Sequence, residues 1–244
     1  MDDQAPKARE TEGPDGLAEQ TPNKTAMITQ VEQQKKNRSR YNLHLDGEYA
    51  FSVHEDLLVH YRLLKGETVN ASTLQEILHA DERHRAYLDA VRFLGVRSRS
   101  VDEVRKKLKS RGYEPPLIQQ VVAQLTEQGY LNDRDFADLW TRERISLQKK
   151  GRKWVEQELR HKGVDKQTVA EAIGRINPEE EEEQALVVAT KRWKLLKGEP
   201  ADKKRKLYAF LARRGYAPQL VGNVVRQVSA AEPMDSEDWD WESL

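Results

Sequence analysis

Basic side chains gather at three places in this sequence: Arg97 and Arg99; Lys149, Lys150, Arg152 and Lys153; and Lys203, Lys204, Arg205 and Lys206. The chemistry open to them is anion binding. Each cluster lies before, or in the first turn of, a segment that reads as a helix. Backbone N–H groups at a helix start combine with such side chains to hold phosphate or carboxylate. A positive charge at that end opposes the helix dipole by roughly a few tenths of a kcal/mol. Good helix propensity accounts poorly for three recurrences at one phase of a pattern, so the clusters are the candidate binding residues, one anion patch for each. Reversing Lys149, Lys150, Arg152 and Lys153 to glutamate is expected to leave the fold intact and abolish binding.

Catalytic groups do not assemble in the same way. The six histidines, His44, His54, His60, His79, His84 and His161, show no HExxH or other ligand spacing, so no metal is expected. Asp133 and Asp135 have the character of magnesium ligands in a nuclease, but their place at a helix start reads them as caps. No glycine-rich phosphate loop leads from a strand into a helix. Trp140 and Trp193 sit at helical spacings and read as core, whereas Trp154 suits core and base stacking about equally. Neither a catalytic residue nor a cofactor is expected.

The elements that position the basic clusters follow from a repeat. With Gly112 as origin, Val104, Leu108, Ile118, Val122 and Leu125 lie eight and four residues before it and six, ten and thirteen after. Gly163 has Val155, Leu159, Val169, Ile173 and Ile176 at those offsets, and Gly215 has Leu207, Leu211, Val221, Val225 and Val228. These spacings mark one helical face on each side of a break. Glycine ends a helix in a left-handed conformation without Cβ strain, and the base before each one (Arg111, Lys162, Arg214) suits the negative end of the dipole. Gly112, Gly163 and Gly215 are therefore expected to be helix stops. Tyr113 and Tyr216, which follow two of them, read as hydrophobic contacts of the cap.

Of the 244 residues, 37% are hydrophobic and 34% charged, a balance that suits small helical modules in a row better than one large core. There are no cysteines, which excludes disulfides and fits a reducing compartment. No apolar run is long enough for a membrane span and the start lacks a signal-peptide pattern, so a cytoplasmic protein is expected. The net charge of zero hides a segregation. Residues 1–26 hold six acids and three bases, and residues 229–244 six acids and no base, which leaves +9 on the rest. Such a body prefers anionic partners.

The fold expected is mainly α: a tandem array of three three-helix repeats behind a small β-hairpin-plus-helix module. Residues 1–26 form a disordered acidic tail, 27–80 the N-terminal module, 81–132, 133–177 and 178–230 the repeats, and 231–244 a second disordered acidic tail. That C-terminal tail, which carries Trp239 and Trp241, is a candidate to fold back on the basic body. In the module, Tyr41, Leu43 and Leu45 alternate across Asp46-Gly47 from Tyr49, Phe51 and Val53. Their hydrophobic register favours a three-residue loop that pairs Leu45 with Tyr49 and Leu43 with Phe51. Short helices are expected over 54–64 and 72–79. In the array, leading helices are expected over 81–94 and from near Asp133, Ser100 with Glu103 forms a capping box, and Pro115-Pro116 opens a third helix. Asn177-Pro178 before five glutamates is a helix start with acids against the positive end of the dipole.

Three segments then carry a resemblance. RSRSVDEVRKKLKSRGY (97–113), QGYLNDRDFADLWTRER (128–144) and GRKWVEQELRHKGV (151–164) resemble the RecX family of bacterial recombination regulators. The matching features are the Ser and Glu that open the helix running to Leu108 and Arg111-Gly112, the Leu-Asn-Asp junction at 131–133 before Phe136-Ala137, and Glu158-Leu159 ahead of Lys162-Gly163. Gly151 is followed by Arg152 where that family often has proline, and the acidic tails stand outside its pattern. The resemblance covers about residues 82–228. It implies a protein without catalytic activity that binds the RecA filament on single-stranded DNA and modulates, with inhibition the expected direction, its growth, ATP hydrolysis, strand exchange and co-protease activity in DNA repair; a monomer is expected. The residues alone leave open a helical-repeat protein that acts on nucleic acid directly, without a recombinase.

Overall fold

The hairpin turns on Asp46 and Gly47, which both adopt positive φ (49° and 93°), the requirement of a two-residue type I′ turn. Leu45 therefore faces Glu48, not Tyr49 as the hydrophobic register suggested. A bulge then leaves Ala50 without a partner and restores the expected pairing of Leu43 with Phe51. Turn chemistry and apolar register conflict by one residue, and the bulge satisfies both. The computed structural model describes residues 25–231, so the expectations for both acidic tails lie largely or wholly outside the described residues. Strands β1 (Thr25–Gln33), β2 (Arg40–Leu45), β3 (Glu48–His54) and β4 (Thr68–Asn70) form an antiparallel sheet in the order β3-β2-β1-β4. The three-residue edge strand β4 is too short to show a period in the sequence. Helix α1 (Glu55–His60) is shorter than expected; the chain leaves it through Arg62 in a left-handed conformation. Ile28, Leu43, Phe51, Val53, Leu63, Val69 and Ile77 make the core of this module.

The helices expected over 72–79 and 81–94 are one, α2 (Ala71–Leu94). Neither glycine nor proline separates them, so the α-helical hydrogen bonds run on. Two compact units part inside α2, between Arg85 and Ala86. The second unit continues with α3 (Val101–Ser110), α4 (Pro115–Glu127), α5 (Asp133–Arg142) and a π-helical turn (Glu143–Leu147). Then come α6 (Arg152–His161), α7 (Lys166–Gly174), α8 (Pro178–Trp193), α9 (Pro200–Arg213) and α10 (Pro218–Ala230).

Three cores follow one another, each enclosed by three helices. Of the fifteen positions that defined the repeat, Ile173 alone is not buried. Gly112, Gly163 and Gly215 have φ of 88°, 76° and 87°, as helix stops require. The Ser100–Glu103 capping box forms, and the Asn177 side chain accepts from Glu179 N–H at 2.9 Å. The leading helices bury small residues beside a few large ones, Phe136 and Ile145 among them. Tyr87, Val91 and Leu94 are half-buried and Leu139 is 57% exposed, whereas Ala86, Ala137 and Ala189 are fully buried. All three alanines lie 26 residues before their repeat's glycine, where a methyl group lets the other two helices approach closely.

Candidate partner-binding surface of the helical array

Within the second unit the repeats join by one rule: the second helix of a repeat starts against the helix stop of the next. Ser100, the N-cap of α3, donates its hydroxyl to the Lys162 carbonyl at 2.6 Å. Twelve residues before the next glycine, Gly151 takes the place of Ser100, and its N–H donates to the Arg214 carbonyl at 2.9 Å. Lys153 N–H adds a bond to the Gly215 carbonyl at 3.1 Å. The positive end of one helix thus meets the negative end of another, a favourable alignment of dipoles. The close approach needs glycine. A Cβ on Gly163 would fall 2.3 Å from Asp102 Cβ, one on Gly215 2.4 Å from Trp154 Cβ, and one on Gly151 2.3 Å from Tyr216 N. Nothing lies within 4 Å of that position on Gly112.

The first basic cluster is drawn into this joint. Arg97 donates to Glu103 Oε1 at 2.8 Å and Lys162 reaches the same oxygen at 3.0 Å. Burial alone would raise the Glu103 pKa, but hydrogen bonds from Arg97, Lys162 and Ser100 N–H hold it below the usual carboxylate value. Arg99 stacks 4.0 Å over the Phe93 ring, and burial lowers its pKa, helped by Arg97 and opposed by Glu103. Lys162 and Arg144 lie 4.2 and 3.8 Å over the Trp140 ring, whose indole N–H donates to Glu158 at 2.8 Å. Trp140 is thus occupied by the chain's own cations.

The middle cluster divides. Lys149, at φ 55°, bonds the Ser146 carbonyl, and its own carbonyl accepts from Arg214 Nε at 2.9 Å and Tyr216 hydroxyl at 2.8 Å. Burial pushes the Tyr216 phenol up to about 12, so it stays a donor. Lys150 lies 4.1 Å over Trp154, its pKa lowered by burial and then by Arg214. Arg152 gives its backbone N–H and Nε to Glu181, which is 2% exposed. This pairing argues against the expectation that reversing the cluster spares the fold, because Arg152→Glu would set a second carboxylate against a buried one. Lys153 is exposed. In the third cluster Lys204, Arg205 and Lys206 are exposed, with Arg205 3.0 Å from Asp202, while Lys203 lies 4.4 Å over Trp193. Helix α9 starts at Pro200, so this cluster follows its first turn. The backbone amides of the α3 and α6 starts are shared with neighbouring repeats, and an anion would meet those starts through side chains.

Reading the sequence missed the acids that organise these joints. Asn132, not Asp133 or Asp135, caps α5; Asp133 instead accepts from Val101 N–H at 2.9 Å, at the start of α3. Burial raises the Asp133 pKa although that N–H opposes it. Of the five glutamates, Glu181 is the buried partner of Arg152 and Glu180 accepts from the Ser146 hydroxyl at 2.7 Å. An unbroken acidic run gives no sign of which member turns inward.

Family models match in the order of these modules. "Regulatory protein RecX N-terminal domain" matches residues 26–70, and the first, second and third three-helix domains of RecX match 86–125, 132–173 and 179–225. The regulatory protein RecX of Halalkalibacterium halodurans is 35% identical over 224 residues, which cover 90% of this chain and 83% of that protein. The chain belongs to the RecX family. RecX from Bacillus subtilis is 33% identical over 211 residues, covering 86% and 80% of the two chains. A crystal structure of regulatory protein RecX, 28% identical, superposes with a TM-score of 0.66 over 82% of this chain and 98% of that one. The three-helix repeats are therefore the RecX domains. No helix among the described residues is long and apolar enough to cross a membrane.

Proposed function

We propose that this RecX protein is a non-enzymatic regulator that binds the RecA filament on single-stranded DNA and inhibits its growth, ATP hydrolysis, strand exchange and co-protease activity. It acts as a monomer, and a chain without cysteine suits the reducing cytoplasm. The observation that carries the reading is the start-to-stop joining of three RecX repeats, which leaves Lys153, Lys204, Arg205 and Lys206 exposed. Tandem modules present recurring side chains along an extended surface, and a basic one suits a polyanionic helical partner with salt-sensitive affinity. In this reading those four residues meet acidic filament surface or DNA phosphate. Arg99, Lys149, Lys150, Arg152 and Lys203, which are partly buried, act from closer to the repeat cores and hold the exposed bases in place, while Arg97, exposed but paired with Glu103, supports the first joint.

The test adds the parent chain, and a variant with Lys153, Lys204, Arg205 and Lys206 changed to glutamate, to preformed RecA filaments. ATP hydrolysis and filament length are followed at two salt concentrations. The parent should slow hydrolysis and shorten filaments, less so at high salt, and the variant should melt normally and do neither. A fully active variant would move the interaction surface elsewhere on the array. Tight binding of RecA-free single-stranded DNA at physiological salt would favour a protein acting on nucleic acid directly.

A further inference from the structure

Two histidines of the N-terminal unit come together although they lie 30 residues apart in sequence. His54 ends β3 and caps α1, Asp56 lies in the first turn of α1, and His84 belongs to α2. The two imidazoles stand 4.3 Å apart, centroid to centroid. Asp56 Oδ2 is 3.3 Å from His54 Nδ1 and 3.7 Å from His84 Nε2, and one donor atom of each residue lies within 4.8 Å of the other two. His84 Nε2 is shut off from solvent and has no hydrogen-bond partner among the described residues. Natural structures rarely leave such an atom unsatisfied.

The two separations to Asp56 are close to those of ligands around one ion. Zinc bound by nitrogen and oxygen at about 2.0–2.1 Å in a tetrahedron holds its ligands about 3.3–3.4 Å apart. The His54–Asp56 distance already has this value and the His84–Asp56 distance needs only a small closure. The surroundings are held in place: Asp81 accepts from His54 N–H at 3.0 Å and is clamped by Arg40 and Arg85. Arg40, the nearby cation, is thereby neutralised. The hydrogen bond from Asp56 N–H to His54 Nδ1 is long, at 3.3 Å, and an ion at that nitrogen would replace it at little cost.

We propose that His54, Asp56 and His84 form a zinc site, with water in a fourth position, that ties the β3–α1 corner to α2. Two imidazoles among three donors select zinc over magnesium or calcium. The role is structural, and it is independent of the partner-binding reading above.

The test uses the full chain, free of any affinity tag and stripped with a chelator. It is titrated with Co²⁺ by visible absorption and with Zn²⁺ by calorimetry. One equivalent should bind, with the strong bands of four-coordinate cobalt, and Zn²⁺ should displace it. His84→Ala and Asp56→Asn should each weaken binding by more than about tenfold, the lower end of what even outer-shell changes cost a metal site. His60→Ala, at an exposed histidine of α1, should not. Circular dichroism establishes that the variants fold; should His84→Ala not fold, Zn²⁺ protection of His54 and His84 from diethyl pyrocarbonate in the parent chain decides. The proposal is overturned by the absence of one-equivalent binding, by a six-coordinate cobalt spectrum, by unchanged affinity in a folded His84→Ala, or by histidines modified equally with and without Zn²⁺.

Discussion

Gly163 lies directly against Asp102, so that a Cβ on the glycine would come within 2.3 Å of the aspartate Cβ. Gly215 stands in the same relation to Trp154, at 2.4 Å, while Gly112 meets nothing. The three glycines share one helix-stop geometry but not one energetic role. Gly112→Ala should cost about 1–2 kcal/mol for its left-handed backbone. Gly163→Ala and Gly215→Ala add the cost of overpacking and should lose about 2–5 kcal/mol. Denaturant unfolding of the three variants checks the order; equal losses would mean that the repeats do not meet at their glycines.

Arg152 and Lys153 are neighbours in one basic cluster with opposite structural weight. Arg152→Glu leaves the buried Glu181 without its partner and adds a like charge, so it should destabilise by about 3 kcal/mol or more. Lys153→Glu, at an exposed position, should stay within about 0.5 kcal/mol of the parent. Replacing Arg152 and Glu181 together by methionine should recover most of the loss. Thermal melts of the three variants decide, and a stable Arg152→Glu chain would refute the pairing.

Ala137 should not accept a larger side chain. It is fully buried at the position that Ala86 and Ala189 occupy in the other repeats, and Ala137→Leu should cost about 1–3 kcal/mol by overpacking. A leucine at Leu139, 57% exposed on the same helix, is by contrast replaceable by glutamine with little change. Measured unfolding midpoints should separate the two.

Glu103 should give the array an acid-sensitive joint. Its folded-state pKa lies below its unfolded value, so the stabilisation is fully present above about pH 5 and is lost as pH falls through the folded pKa. Glu103→Gln should therefore be less stable at pH 7, and its stability should fall less steeply between about pH 5 and pH 3. Parallel slopes for parent and variant over that range would remove Glu103 as a contributor.

Much of this architecture is written locally. Gly112, Gly163 and Gly215 ended helices because a left-handed residue without Cβ strain is a one-residue property, and Ser100, Asn177 and the prolines at 115, 116 and 178 marked starts for reasons equally local. The aliphatic period around each glycine showed the buried face because helical geometry alone decides which residues share it. Two local signals deceived. The hairpin obeyed Asp46-Gly47 and absorbed the register conflict in a bulge at Ala50, and α2 ran through a stretch that looked like two helices because nothing interrupts it.

What the sequence determined by itself is therefore the module: helix, glycine stop, helix, three times over, behind a hairpin. Tertiary structure alone decided what the polar residues do. Arg152 and Lys153 are indistinguishable as letters, yet one is held by buried Glu181 and the other is exposed, because they face different directions one step apart on a helix whose neighbour covers one side. Asp133 accepts from the first N–H of α3, a helix that ended 23 residues earlier in the chain, and His54 meets His84 across the N-terminal unit. Periodicity reports burial, which is a property of one helix; pairing of charges and donors is a property of two surfaces brought together, and no spacing along the chain encodes it.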